Sequence, residues 1–312
     1  MKYRRLGRTN LKVSTIGLGS GGHSSLGQSQ GMSHVEAARL VRHAMDMGIN
    51  LIDTAPRYGE SELILGKALR GIPRDKVILA TKFAPDLKDI VRSGTVSDSL
   101  HRSLRRLAVE HVDLLQFHAV RPQDYARTME QFLPEALSLR EQGKFRFLGI
   151  TEHMLTDGNH KMLQMALADD HFDTVMLGYN MLSPSAERLV LPQCQQRDVG
   201  VLVMWAVRRA LAKPKELEEA IRQLKGTGLL APDALPDVGP LDWLLRGEVD
   251  SIPAAAYKFA SNHPAVSSVL TGTADPAHLE ANARAVLGSP LPEKDRDRLI
   301  ELFGHLEQSV GN

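Results

Sequence analysis

Short apolar, β-branched runs recur along the chain at 12–18, 50–54, 76–82, 112–117, 146–150, 173–178, 200–205 and 266–271. Runs of this length between polar or glycine-bearing segments predict buried strands. They are nearly continuous rather than alternating, so both faces of the sheet they form must be covered. Between them the periodicity changes to that of amphipathic helices. SHVEAARLVRHAMDMG (33–48) opens with Ser33 and Glu36 at capping-box spacing, closes on Gly48, and places Val41, Ala44, Met45 and Ile49 on one stripe. VSDSLHRSLRRL (96–107) gathers Val96, Leu100, Ser103, Leu104 and Leu107 on one face and leaves its arginines outside. Further helices are predicted in PEALSLREQG (134–143), ELEEAIRQL (216–224) and PAHLEANARAV (276–286).

Strand then helix, repeated with short connections, predicts an α/β protein with a parallel sheet. Eight such units in 312 residues favour closure into a (β/α)₈ TIM barrel, one domain spanning 1–312, over an open sheet. Two segments break the rhythm. Residues 2–14 (KYRRLGRTNLKVS) read as an N-terminal hairpin around Gly7–Asn10, a plug under the barrel. Residues 212–262 carry Gly226, Gly228, Pro232, Pro236 and Pro240, then LDWLLRG and PAAAYKFASN. They read as a long loop and helix insertion before the last strand, on the substrate side.

The balance of 38 basic and 37 acidic residues leaves a net charge of +1, which removes the electrostatic case for nucleic acid or an anionic membrane as partner. Arg4–Arg5 and Arg105–Arg106 read as solvated pairs. The single cysteine, Cys194, excludes an internal disulfide and reads as a buried structural thiol in a helical stretch. MKYRRLGRTN lacks an apolar leader core, and no run approaches the ~18 apolar residues of a membrane span. These features predict a soluble cytoplasmic protein.

Chemistry concentrates at strand ends. Asp53, Lys82 and His118 each close an apolar run (NLIDT, KVILATK, VDLLQFH), and Tyr58 follows the first of these in PRYGESE. In a parallel barrel all strand carboxyl ends face one rim, where active sites are built. A free tyrosine hydroxyl titrates near 10, too high for ready proton donation at neutral pH. A neighbouring ammonium favours the phenolate, a carboxylate holds the ammonium in place, and a histidine orients a substrate oxygen. The set supplies a proton but offers no nucleophile or metal, so reducing equivalents must come from a cofactor.

At these residues the chain resembles the aldo-keto reductase superfamily. The matching pieces are IGLGSGG (16–22), INLIDTAPRYGESELILGKAL (49–69), VILATKF (77–83), VDLLQFH (112–118), FRFLGIT (145–151) and VLTGTADPAHLEANARAV (269–286). The resemblance implies reduction of an aldehyde or ketone by hydride from a nicotinamide cofactor, NADP(H) preferred and NAD(H) the alternative, bound without a Rossmann fold. It makes Tyr58 the general acid, Lys82 with Asp53 the pair that lowers its pKa, and His118 the group that orients the carbonyl.

The same resemblance places the cofactor. Gly21 and Gly22 lie beside it. Thr271, Gly272, Thr273, His278 and Asn282 match its adenosine-side contacts, where a helix N-terminus can face phosphate. Met204 and Trp205 stand beneath the nicotinamide, and Arg208 or Arg209 at the pyrophosphate. The chain departs from the family pattern at Thr151–Glu152, where a Ser-Asn pair commonly grips the carboxamide, and at Met176, where a glutamine is common. Met204 stands where a stacking aromatic is frequent, and His278 where many members carry arginine. The pocket wall is expected to include His23, Tyr58, Phe83, His153 and Trp205, and the substrate to be a small carbonyl compound. Two other classes compete. A metal-dependent barrel hydrolase is disfavoured because no H-x-H follows the first strand. A cofactor-loaded sensor barrel with little turnover would not need all four strand-end residues.

Overall fold

The computed structural model of the chain describes residues 1–85 and 94–311. Strands β1 (Tyr3–Arg5) and β2 (Lys12–Ser14) form a separate antiparallel hairpin. The barrel is made of β3 (Ile16–Gly19), β4 (Leu51–Asp53), β5 (Ile78–Phe83), β6 (Val112–Val120), β7 (Phe145–Glu152), β8 (Thr174–Gly178), β9 (Gly200–Met204) and β10 (Val266–Thr271). All eight are parallel and pair in sequence order, with β10 returning to β3 to close the ring. This is a (β/α)₈ barrel with helices between successive strands. Among the described residues, no helix is long and apolar enough to cross a membrane.

The hairpin closes the amino-terminal end of the barrel. Leu6, Leu11 and Val13 pack with the inward-facing Leu51, Ile78, Ala80, Leu114, Met176 and Leu202. Gly7 sits at the tip with φ +46°, and a Cβ there would lie 2.2 Å from Gly200 N. Only glycine allows that approach. The expected run 12–18 therefore divides at Thr15, with its first part in the hairpin and its second in the barrel.

The capping box at Ser33 and Glu36 is formed, starting the helix His34–Asp46. The helix Val96–Leu107 buries the five residues that its periodicity picks out. The helix expected from Pro134 begins earlier, at Tyr125, and runs through the proline to Glu141. Buried Tyr125, Thr128, Phe132 and Leu133 anchor its first half, so packing holds it past the hydrogen bond that proline removes. Arg4 also departs from expectation. It is part-buried, and its guanidinium donates to Ser261 O and Val266 O, tying the hairpin to the barrel wall. Cys194 is buried, and burial pushes its thiol up to about 12, which makes it inert as a nucleophile.

The 212–262 segment contains the helices Pro214–Gly226 and Ile252–Ser261. It is anchored on the C-terminal helix Glu293–Phe303 and the chain that follows it. Arg246 pairs with Asp295, Arg298 stacks 4.3 Å from the Trp243 ring centre, and His305 Nε2 lies 2.9 Å from Leu229 O. Phe259 is core, tilted against Tyr179.

Candidate active site

Strand parity builds the site. Along β4, β5 and β6 the residues of one parity face inward. Leu51, Ile78, Ala80 and Leu114 fill the lower interior. One step further along each strand the same parity delivers Asp53, Lys82 and Gln116, and then His118. Phe83, of opposite parity, packs outward on Phe117 and Phe132, so it leaves the expected pocket wall.

Lys82 and Asp53 are buried together, with Lys82 Nζ donating to Asp53 Oδ2 at 2.5 Å and to Thr54 O at 2.8 Å. Gln116 Nε2 donates to Asp53 Oδ1 at 3.0 Å. Burial works against the Lys82 ammonium, but the charge and hydrogen bond of Asp53, with Tyr58 beside them, outweigh it and hold Lys82 above its ordinary pKa. Burial raises the Asp53 carboxyl, and Lys82 and Gln116 act against that rise.

Tyr58 stands over this pair. Lys82 Nζ lies 5.0 Å from the Tyr58 ring centre, and Tyr58 Oη lies 3.3 Å from His118 Nε2. The two rings meet edge to face. Burial raises the phenol, and Lys82 offsets only part of that rise. Lys82 therefore pulls in the expected direction, yet the net shift is upward and Tyr58 keeps its proton at neutral pH. His118 is held well below its usual value by burial, then by the charges of Lys82, Arg57 and His153. It is a neutral ring at pH 7, and its buried Nδ1 has no hydrogen-bond partner among the described residues.

Gly21 touches this group directly, since a Cβ there would fall 2.6 Å from ring carbons of Tyr58. Gly22 has open space around it. Thr151 is buried, and its Oγ1 accepts from Ala119 N at 2.7 Å. Glu152 does not reach the pocket. Its opposite parity turns it into the barrel wall, where Oε2 meets His160 Nδ1 at 2.7 Å and Oε1 accepts from Gly178 N at 2.8 Å. With both oxygens engaged, it is not free to hold a carboxamide. Met176 and Met204 join the apolar barrel interior.

Trp205 follows β9 directly with φ +60°, and the Arg208 guanidinium stacks 3.9 Å from its ring centre. Arg208 is half-buried, has no ion pair among the described residues, and buries Nε without a partner. Arg209 is instead engaged, 2.9 Å from Glu216. Of the two, Arg208 has the donors that a phosphate needs. Ser24 Oγ is also buried with no partner among the described residues, 3.8 Å from where a Cβ of Gly272 would stand. Each of these unpartnered donors is of the kind that an anionic group takes up. Asn282 Nδ2 donates to Thr271 Oγ1 at 2.9 Å, so this pair is set by its own contact. The helix Pro276–Leu287 is capped by its own Asp275, which accepts from Ala277 N, while Thr273 Oγ1 accepts from Asp275 N. That terminus is less open to phosphate than its sequence suggests. The His278 side chain is 74% exposed. No motif in the sequence marks Gln116 or Ser24, although Gln116 stands two positions before His118 and so shares its parity.

A profile described as the aldo/keto reductase family matches residues 15–302. L-galactose dehydrogenase of Arabidopsis thaliana is 29% identical over 318 residues, covering 98% of this chain and 95% of that protein. Aldo-keto reductase YhdN of Bacillus subtilis is 30% identical over 306 residues, covering 90% and 87%. Among solved structures, the holo form of aldo-keto reductase AKR11C1 from Bacillus halodurans superposes with a TM-score of 0.72 at 25% identity, covering 97% and 96%.

Proposed function

The chain belongs to the aldo/keto reductase family, and we propose that it reduces an aldehyde or ketone to an alcohol with NADPH, Tyr58 being the proton donor. A reduced nicotinamide held at this rim would supply the hydride. Tyr58 Oη gives its proton to the carbonyl oxygen, and the phenolate left behind faces the Lys82 ammonium. Asp53 keeps that ammonium charged and in place. A neutral His118 offers a polar edge to the same oxygen without adding a second positive charge beside Lys82.

One observation carries this reading. Tyr58 Oη is 3.3 Å from His118 Nε2, above a buried Lys82–Asp53 pair, at a single rim. The phenol arrives protonated, and Lys82, acting against the rise that burial causes, favours the phenolate formed as the proton leaves. The cofactor would meet Gly21 and Gly22 on one side, Trp205 and Arg208 beyond β9, and Thr271, Gly272 and Asn282 after β10. His278 is a weaker phosphate ligand than arginine's fixed fork, so NADH competes.

The test is a steady-state assay over a panel of aldehydes and ketones with NADPH and NADH, and over the matching alcohols with the oxidised cofactors. The alcohols belong in the panel because one relative is named as a dehydrogenase of L-galactose. Turnover in the wild type and its loss in Tyr58→Phe is the expected result. Equal turnover in the two proteins would remove Tyr58 from the chemistry.

A further inference from the structure

Gln28, in the loop between β3 and the helix His34–Asp46, joins two segments of the site through its carboxamide. Its Oε1 accepts from Glu60 N at 2.8 Å. Its Nε2 lies 2.7 Å from Ser25 O, 3.0 Å from Ser61 Oγ and 3.3 Å from Tyr58 O, all acceptors for its two hydrogens. A backbone N–H can only donate, so the bond from Glu60 identifies which end of the amide is oxygen. Ser61 Oγ in turn donates to Ser20 O at 2.8 Å. A chain of hydrogen bonds thus runs from Gln28 through Ser61 to the end of β3.

The surrounding backbone is shaped around this contact. Gly59, next to Tyr58, has φ +59°, and a Cβ there would stand 2.7 Å from Gln28 Oε1. Ser25 and Leu26 lie in the left-handed region at φ 42° and 55°. Such conformations persist only where the surroundings over-determine them. Leu26 is fully buried, and Ser25 O is held by Gln28. The same loop therefore grips Tyr58 twice, at the ring through Gly21 and at the backbone through Gln28.

We propose that Gln28 is a positioning residue for the Tyr58 hydroxyl, fixing its reach to the carbonyl oxygen and its alignment with Lys82 and His118. This rests on Tyr58 being the proton donor. Gln28 acts through Tyr58 and touches no reacting atom. A misplacement of the order of an ångström is enough to lower a rate ~10²-fold.

The experiment uses the full chain with Gln28→Met and Gln28→Glu, read by kinetics and by ¹⁹F NMR of 3-fluorotyrosine-labelled protein. The chain has five tyrosines, and Tyr58→Phe identifies the Tyr58 resonance. Gln28→Met is expected to lower kcat roughly 10- to 100-fold with little change in aldehyde KM. The Tyr58 resonance should move while those of Tyr3, Tyr125, Tyr179 and Tyr257 stay. Gln28→Glu keeps an acceptor for Glu60 N and should recover part of kcat; if Gln28→Met does not fold, the resonance in Gln28→Glu decides. A kcat within about two-fold of wild type and a stationary Tyr58 resonance overturn the proposal. So does movement of all five resonances, which marks a merely structural residue. If the wild type turns over no carbonyl compound, the proposed activity fails separately, and the Tyr58 resonance alone decides whether Gln28 positions the phenol.

Discussion

Lys82 Nζ and Asp53 Oδ2 lie 2.5 Å apart in the barrel interior, and neither side chain is more than 4% exposed. Removing one partner of such a pair leaves an uncompensated buried charge, at a cost of about 3–5 kcal/mol. Lys82→Met and Asp53→Leu should each lose about that much in denaturant unfolding. The double variant should be more stable than either, because no lone charge remains. Lys82→Met and the double variant should be inactive, since the phenol loses its neighbouring cation, and Asp53→Leu should lose activity because nothing then keeps the Lys82 ammonium charged and in place. A double variant as unstable as the worse single one would show that the interior does not hold an ion pair.

Tyr58→Phe removes one oxygen and little volume. Burial and the Gly21 contact hold the ring, so fold and cofactor affinity should be unchanged while turnover drops roughly 10²–10⁴-fold, the usual contribution of general acid catalysis. Stopped-flow measurement with NADPH separates the hydride step from product release. A drop confined to release would place Tyr58 outside the chemistry.

Much of this site is legible because strand parity is. Asp53, Lys82 and His118 end apolar runs, and a barrel sends all such ends to one rim. The capping box was readable because it is local. Phe83 could have been excluded by parity, since it follows the inward Lys82. Glu152 illustrates the limit. Its partner His160 is close in sequence, but the left-handed backbone at His160 that points the ring back depends on tertiary packing. Gln28 and Ser24 had no sequence signal, because the turns that aim them use Ser25 and Leu26 in conformations that neither residue type favours. Arg4 looked solvated because its acceptors, Ser261 O and Val266 O, lie at the far end of the chain.

Two buried histidines should give opposite pH responses. Burial, with the charges of Lys82, Arg57 and His153, holds His118 well below its ordinary value of 6.5. The unfolded chain takes up a proton there that the fold refuses. The stability from a neutral His118 is thus complete above the unfolded value and is lost as pH falls through it, with a slope approaching about 1.4 kcal/mol per pH unit. His160 is opposed by burial, but Glu152 outweighs this and holds it above its ordinary value. Its contribution is complete below the unfolded value and is lost as pH rises through the folded one. His118→Asn should flatten the acid-side fall in Tm, and His160→Gln should cost most at mildly acidic pH. Parallel Tm profiles for wild type and His118→Asn would contradict a neutral His118.

Arg208 and Arg209 are adjacent in sequence and unlike in circumstance. Arg209 is exposed and already paired with Glu216. Arg208 stacks on Trp205, has no acidic partner among the described residues, and is held below its ordinary pKa by burial and then by Arg209. A half-buried, uncompensated guanidinium is unfavourable unless a ligand brings the missing negative charge. A charge-assisted hydrogen bond is worth about 1.5–3 kcal/mol. Arg208→Ala should therefore weaken NADPH binding roughly 10- to 100-fold by calorimetry, while Arg209→Ala, losing only an exposed pair, should change it little. If Arg208 meets the pyrophosphate, NADH should lose as much affinity as NADPH. A loss confined to NADPH would place it at the 2′-phosphate instead. No loss with either cofactor would mean that the phosphates are held elsewhere. Arg208→Lys should restore only part of the affinity, because a point charge replaces a planar fork stacked on the indole.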